Sequence, residues 1–190
     1  GDHRDLHYPL RRQRQMCIRD SLGMLGSDAA KALTALRFDV ASWTRTPKEM
    51  ARVANFHGAN SFNAFLSRTE ILIVLLPLTD ATRGILNASL FAKLTSGAGL
   101  INAGRGGLQI EADIIAALDT GQLSEAVLDV FATEPLPANS QLWDHPKVTI
   151  TPHNAAITGS STGAREIALN LRRGLAGKQP HNIVDLDAGY

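Results

Sequence analysis

Apolar runs of strand length alternate with amphipathic stretches of helix length from Gly23 onward. The run EILIVLLPLTD, which Pro77 interrupts, is typical of a strand buried on both faces of a sheet. Further strands are predicted at 38–44, 98–104, 125–131 and 147–153. Helices are predicted at 26–36, 61–69, 87–97, 111–123 and 160–177. Strands that alternate with helices predict an α/β fold with a doubly wound parallel sheet, a Rossmann-like dinucleotide-binding domain.

The segment SLGMLGSDAAKAL (21–33) is similar to a nucleotide-binding turn that lacks one part. Gly23 and Gly26 precede a helix, whose free N–H groups suit a pyrophosphate. The fingerprint G-x-G-x-x-G would place a further glycine at Ser21 and a buried strand before it, where the chain has RRQRQMCIRD. We therefore expect the first strand of the sheet to be missing and residues 1–20 to form a disordered or non-native leader. Two unpaired ladders would cost about 5–15 kcal/mol, as much as the stability of a domain.

Composition narrows the classes of partner and compartment. The 190 residues are 44% hydrophobic, and 19 basic against 18 acidic side chains give a net charge of +1. This balance predicts no nucleic-acid partner, and no apolar run is long enough to predict a membrane partner. The single cysteine, Cys17, excludes an internal disulfide framework and favours a reducing, cytoplasmic location. The six histidines lack the spacing of metal ligands, so no metal is expected.

The residues at the end of the strand at 38–44 bear on the choice of cofactor. NAD sites usually carry an acidic residue at this point to bind the ribose hydroxyls. This chain has Thr44, Arg45 and Thr46 instead. A guanidinium flanked by hydroxyls suits a 2′-phosphate, so the pattern favours NADPH, with NADH still possible. The alternative is a solvated surface arginine.

Three later segments place charged side chains where strands end. Arg105 lies between glycines in INAGRGGL, Asp129 and Glu134 lie in LDVFATEPLP, and His153 lies in ITPHNAA. Each has a plain alternative: a surface arginine, a carboxylate before proline, a histidine bonded to backbone. Because parallel strands end at one edge of a sheet, we expect the cation, the carboxylates and the imidazole to meet there.

The segments LGMLGSDAA, WTRT, INAGRGG, DVFATEPLP and TPHNAA resemble the D-isomer-specific 2-hydroxyacid dehydrogenases, and within them the branch that reduces glyoxylate and hydroxypyruvate. The resemblance spans residues 23–190 and implies that Arg105, Glu134 and His153 are catalytic. It places Asp129 beside the nicotinamide. The cofactor contacts that it implies, together with those above, are Gly23, Met24, Leu25, Gly26, Thr44, Arg45, Thr46, Leu76, Pro77, Thr79, Thr82, Ala103, Gly104, Asp129 and Ala155.

The resemblance implies a reaction in which Arg105 binds the carboxylate of a 2-keto acid and His153 donates a proton to its ketone oxygen. Glu134 would hold the imidazole. It also implies a cofactor domain at 21–175, a tail at 176–190 that belongs to a mostly absent substrate domain, and a homodimer in the full-length parent. Without its first strand, the chain is not expected to be a competent enzyme on its own.

Two alternatives of function stay open from the sequence. One is a dinucleotide-sensing module of the corepressor type, which shares the fold and can keep the same three residues. The other is a dehydrogenase of another acid, such as phosphoglycerate or lactate. Trp143 and the Thr44–Arg45 pair favour a small keto acid, although Trp143 could equally anchor the core.

Overall fold

The computed structural model describes residues 15–19, 23–156 and 159–183. Within these ranges seven strands form one parallel sheet. The strands are β1 (Gln15–Arg19), β2 (Asp39–Thr44), β3 (Val53–His57), β4 (Ile71–Val74), β5 (Ala98–Asn102), β6 (Leu123–Leu128) and β7 (Val148–Ile150). The helices are α1 (Met24–Ala35), α2 (Gly58–Ser67), α3 (Ala88–Phe91), α4 (Glu111–Asp119) and α5 (Ser160–Leu175).

The strand order is β3-β2-β1-β4-β5-β6-β7, which confirms the doubly wound sheet. From β1 the chain runs outward to β2 and β3, and then returns to the other side of β1 as β4. The direction of winding therefore reverses between β1 and β4. In open α/β sheets ligands bind at such a reversal, outside the carboxyl ends of the strands. We call the edge at which all these strands end the carboxyl edge.

Two apolar clusters cover the two faces of the sheet. Leu72 and Val74 of β4 belong to the larger cluster, with Phe65 of α2 and Leu118 of α4. Ile73 of the same strand belongs to the smaller cluster, which also contains Ala30 of α1. Successive side chains of a strand point to opposite faces, so β4 is buried on both faces as its apolar run predicts.

The expectation of a missing first strand is wrong. Gln15–Arg19 forms β1 in the centre of the sheet, where Met16 lies opposite Val40 of β2 and Ile71 of β4. Backbone N–H and C=O groups make both ladders, so the hydrogen bonds of this central position do not depend on a particular sequence. Met16 is 7% exposed. Five residues assigned to the leader thus belong to the sheet, while 1–14 and 20–22, with Ser21, lie outside the described residues.

Two further elements differ from the pattern-based prediction. Strand β3 was not predicted, because only Val53 of its five residues is buried and the segment lacks a clear alternation. Helix α3 spans four residues, whereas the pattern predicts a helix over 87–97. Turns follow α3 as far as Gly97, whose φ of 77° lies outside the helical region. Asn87 caps α3 by accepting a hydrogen bond from the Leu90 N–H at 3.1 Å.

The chain divides into two compact units between Pro152 and His153. In the second unit, helix α5 carries Arg172 and Arg173 in its last turn, and the Arg173 side chain donates to the Gln179 carbonyl at 2.7 Å. The predicted domain boundaries, 21–175 and 176–190, stay a prediction, and residues 184–190 lie outside the described part. None of the described helices combines the length and apolar character needed to cross a membrane.

Candidate cofactor and substrate site

The amino end of α1 lies directly after β1, at the reversal of the sheet. Gly23 is the N-cap residue and makes no side-chain cap, and the first helical bond runs from the Ser27 N–H to the Gly23 carbonyl at 2.9 Å. The N–H groups of Met24, Leu25 and Gly26, in the first turn of α1, therefore have no acceptor within the helix. Together with the helix dipole they fit a phosphate group. Leu25 is exposed and Gly26 is buried.

The structure separates the three residues predicted at the end of β2. Thr44 is only 1% exposed, and its hydroxyl donates to the Thr46 carbonyl at 2.6 Å. Thr44 therefore holds the turn, and this burial argues against a direct contact of its side chain with the cofactor. Arg45 and Thr46 are exposed immediately beyond the strand, next to α1 in the order of the sheet. They are the residues here that fit a 2′-phosphate.

The loop after β4 is organised by one hydroxyl group. The Thr82 Oγ1 accepts from the Thr79 N–H at 2.8 Å and donates to the Pro77 carbonyl at 2.8 Å. Leu76, just before this loop, is buried and approaches the loop after β5 closely. A Cβ atom on Gly104 would lie 2.9 Å from the Leu76 carbonyl oxygen. Pro77 and Thr82 thus belong to a fixed wall beside the carboxyl end of β4.

Arg105 follows β5 in extended backbone and is exposed. Its guanidinium Nη1 donates to the Gly104 carbonyl at 2.7 Å. The strand end is anchored by Ala103, whose N–H donates to the Val74 carbonyl of β4 at 3.1 Å. A cation with an anchored backbone and an exposed fork is suited to bind a carboxylate in two-point contact.

The loop after β6, which carries Glu134, contacts the loop that carries Arg105. A Cβ atom on Gly106 would lie 1.7 Å from the Phe131 carbonyl oxygen, so only glycine allows this backbone contact. Glu134 is exposed, and its Oε1 accepts from the Phe131 N–H at 3.0 Å. Arg105 and Glu134 are therefore carried by two loops in direct backbone contact.

Asp129 is the buried carboxylate of the site. It is 4% exposed, and its Oδ1 accepts from the Thr151 hydroxyl at 2.5 Å. Its N–H donates to the Asn102 carbonyl at 3.0 Å, which ties the end of β6 to the end of β5. The Thr151 N–H in turn donates to the Leu128 carbonyl at 3.0 Å. These bonds fix the ends of β5, β6 and β7 relative to one another.

His153 is the third residue after β7 and opens the second unit. Its φ is 52°, in the left-handed region, and His153, Asn154 and Ala155 are exposed. Trp143 is 51% exposed, and its indole N–H donates to the Pro137 carbonyl at 3.0 Å, so it is not a core anchor. The structure thus brings Arg105, Asp129 and Glu134 to one edge, and their roles with that of His153 stay predictions.

Sequence reasoning missed the residues that support these loops: Asn102, Gln109, Glu111 and Thr151. Asn102 and Gln109 are buried and bonded to each other at 2.8 Å. Glu111 Oε1 accepts from the Ala132 N–H at 3.0 Å. A polar residue next to an apolar run gives no signal of burial by itself, so only the packing reveals these partners. Among the described residues, no three His, Cys, Asp or Glu side chains form a group that could hold a metal ion.

Comparison with known proteins agrees with this arrangement. The family model for the NAD-binding domain of D-isomer specific 2-hydroxyacid dehydrogenases matches residues 5–155. Glyoxylate/hydroxypyruvate reductase A of Serratia proteamaculans is 49% identical over 168 residues, which cover 88% of this chain and 54% of that protein. The chain therefore spans about half the length of the curated relatives it matches.

Two solved structures are also similar. A D-isomer specific 2-hydroxyacid dehydrogenase from Xanthobacter autotrophicus, in complex with NADPH and MES, has a TM-score of 0.90 and 45% identity, covering 93% of this chain and 73% of that one. An NADPH-dependent glyoxylate/hydroxypyruvate reductase from Sinorhizobium meliloti, in complex with NADP and sulfate, has a TM-score of 0.90 and 42% identity, covering 98% and 60%. The resemblance indicated by the sequence motifs is confirmed.

Proposed function

Because this chain belongs to the D-isomer specific 2-hydroxyacid dehydrogenase family, we propose that it forms the cofactor-binding part of a reductase that uses NADPH to convert a small 2-keto acid to the 2-hydroxy acid. The observation that carries the proposal is the reversal of the sheet between β1 and β4. The uncapped amino end of α1 lies there. Arg105, Asp129 and Glu134 follow neighbouring strands at the same edge.

The preference for NADPH rests on the end of β2. Arg45 and Thr46 are exposed there, and no carboxylate lies between Thr44 and Lys48 to repel a 2′-phosphate. The relatives from Xanthobacter autotrophicus and Sinorhizobium meliloti were solved with NADPH and NADP, respectively. In this proposal the N–H groups of the first turn of α1 bind the pyrophosphate and Arg45 binds the 2′-phosphate.

The bound cofactor supplies the hydride, and this chain supplies the groups that orient and protonate the keto acid. Arg105 binds the substrate carboxylate through its guanidinium and orients the ketone. His153 donates a proton to the ketone oxygen. Glu134, whose Oε1 accepts from the Phe131 N–H, acts with His153 as the acid–base pair. Asp129, fixed by the Thr151 hydroxyl, faces the carboxamide of the nicotinamide.

The substrate class follows from the relatives and is tested by a panel of keto acids. The curated relative from Serratia proteamaculans is a glyoxylate/hydroxypyruvate reductase, so we propose glyoxylate and hydroxypyruvate as substrates. Rates of NADPH oxidation are compared for these two acids and for 3-phosphohydroxypyruvate, using the intact protein that contains this chain. Faster turnover of the phosphorylated acid would contradict the proposal. Cofactor binding without turnover of any acid would favour a dinucleotide-sensing module.

Replacement of Arg105 tests the substrate-binding role directly. We expect Arg105→Ala to lower kcat/KM for the keto acid by several orders of magnitude, because the carboxylate loses its only proposed cationic contact. The matched control is Arg52→Ala. Arg52 is an exposed arginine that precedes β3, at the edge opposite the candidate site. Near-normal kcat/KM for Arg105→Ala would refute the assignment.

A further inference from the structure

A buried pair of side-chain amides joins the loop that carries Arg105 to the segment that leads to Glu134. Asn102, the last residue of β5, is fully buried, and Gln109 is 3% exposed. The Asn102 Nδ2 donates to the Gln109 Oε1 at 2.8 Å. The Gln109 Nε2 donates to the Val130 carbonyl at 3.0 Å. We call Asn102 and Gln109 the amide pair.

Each polar atom of the amide pair has a partner. The Asn102 Oδ1 accepts from the Gly104 N–H at 3.1 Å, and the Asn102 Nδ2 also approaches the Arg105 carbonyl at 3.3 Å. Burial of two side-chain amides without hydrogen-bond partners would lower the stability of the fold, whereas a fully bonded network fixes one arrangement of the side chains. The pair therefore restrains the main chain before Arg105, at the Gly104 N–H, and after it, at the Arg105 carbonyl.

The backbone around Gln109 is also fixed. Its N–H donates to the Gly106 carbonyl at 3.0 Å, and the Ile110 N–H donates to the Leu86 carbonyl at 2.9 Å. Leu86 and Gln109 form an isolated parallel bridge. Because its backbone is fixed, the Gln109 side chain restrains Val130, which lies in the loop after β6 that carries Glu134. We call this loop the second loop.

The second loop is restrained at three consecutive residues. The Asp129 N–H donates to the Asn102 carbonyl, the Val130 carbonyl accepts from Gln109, and the Phe131 N–H donates to Glu134. The first of these contacts is made by the main-chain carbonyl of Asn102, and the second by the side-chain amide of Gln109. The amide pair thus links Val130 to the loop that carries Arg105 through side chains.

We infer that Gln109 is a positioning residue: through Asn102 and Val130 it fixes the relative placement of Arg105 and Glu134. The inference rests on the proposed function for the roles of these two residues. It predicts that loss of the Gln109 side-chain amide lowers turnover of the keto acid much more than it weakens cofactor binding. The pyrophosphate and ribose contacts proposed above lie at α1 and the end of β2, and only the nicotinamide end of the cofactor lies near the amide pair.

The variant that tests this inference is Gln109→Met, which keeps the length of the side chain and removes both hydrogen-bonding groups. The matched control is Gln122→Met. Gln122 is a partly buried amide, and its Nε2 donates to the Phe91 carbonyl at 2.8 Å, before the start of β6 and away from the carboxyl edge. Both variants lose an amide-to-carbonyl bond, so a difference between them reports on the site.

We expect Gln109→Met to lower kcat about 10- to 100-fold and to raise the Kd for NADPH by a much smaller factor, about 5-fold or less. Amide hydrogen exchange at Gly104 and Asp129 should become faster in the same variant. Gln122→Met should change neither, even where it lowers the Tm. Unchanged kcat and exchange in Gln109→Met, or equal losses of kcat in both variants, would overturn the inference.

A measurement on the unsubstituted protein keeps the test decisive if Gln109→Met does not fold. Asn102 accepts from the Gly104 N–H through its side-chain Oδ1 and from the Asp129 N–H through its main-chain carbonyl, and Gln109 holds the Asn102 side chain. The two amides should therefore exchange through one shared opening, with protection factors within about tenfold of each other. Independent opening of the two sites would overturn the inference. Hydrogen exchange needs no substrate, so an inactive unsubstituted protein would count against the proposed function and not against the amide pair.

Discussion

At the scale of single residues, Gly106 is the most restricted position of the candidate site. A Cβ atom there would lie 1.9 Å from the Phe131 carbonyl carbon, and backbone must move to admit it. We expect Gly106→Ala to lower the free energy of unfolding by about 3 kcal/mol, the upper end of the range for overpacking. Urea unfolding monitored by circular dichroism measures this change.

Gly107→Ala is the matched control for that substitution. Its Cβ would lie 2.8 Å from Cδ2 of Leu78, the far end of a flexible side chain that can rotate away. The expected loss is therefore about 1 kcal/mol or less. Equal unfolding midpoints for the two alanine variants would show that the loops of Arg105 and Glu134 are not in backbone contact.

Arg45 is the residue whose charge should decide between the two nicotinamide cofactors. Charge-assisted hydrogen bonds contribute about 1.5–3 kcal/mol, so Arg45→Ala should weaken NADPH binding about 10- to 100-fold. NADH lacks the 2′-phosphate, and its Kd should change little. Isothermal titration calorimetry with both cofactors measures the effect, with Arg52→Ala as the control. An equal loss of affinity for NADPH and NADH would contradict the assignment of Arg45 to the phosphate.

The sequence predicts the residues of the candidate site better than the buried residues that hold their loops in place. Arg105, Asp129 and Glu134 could be identified because each follows an apolar run whose end the pattern marks. Thr44 was predicted beside Arg45, but its depth was not, since a threonine at a strand end can face either way. Gln109 carries no signal in the sequence, because its burial depends on Val130, which lies 21 residues away.

At the scale of elements, the central strand β1 depends on the side chain of Met16. Met16 is buried with Val40 and Ile73 of the neighbouring strands and Ala30 of α1. Removal of a buried methionine side chain costs about 2–5 kcal/mol. We expect Met16→Ala to lower the free energy of unfolding by an amount in this range, measured by urea denaturation.

Met50→Ala provides the comparison for β1. Met50 is only partly buried and packs against the same cluster from outside the strands. Its replacement should cost less than that of Met16, because less apolar surface returns to water. A smaller effect at Met16 than at Met50 would show that β1 does not occupy the centre of the sheet in solution.

The elements that the sequence predicted well are those with continuous apolar runs. Strands β4 and β5 lie inside the sheet, and their burial requires such runs. Strands β1 and β3 were missed for different reasons. β1 is flanked by polar residues that hide a five-residue strand, and β3 lies at the edge of the sheet, where one ladder and partial burial leave its pattern weak.

At the scale of the whole molecule, the two units should differ in local stability. Helix α5, all of whose residues are described, contains no buried side chain, and Ile167, Leu171 and Leu175 are each more than half exposed. Helix α4 is shorter, yet it buries Ile114, Ala117 and Leu118. An isolated helix of this length is marginal in water, because its stability normally comes from packing of the apolar face.

We therefore expect the amides of α5 to exchange with solvent at least about tenfold faster than those of α4, measured by hydrogen exchange at low protein concentration. The comparison of the two helices in one sample removes differences in pH and temperature. If α5 is as well protected as α4, its apolar side chains are covered in solution. Dilution then distinguishes the two ways of covering them, since self-association weakens with dilution and packing within one chain does not.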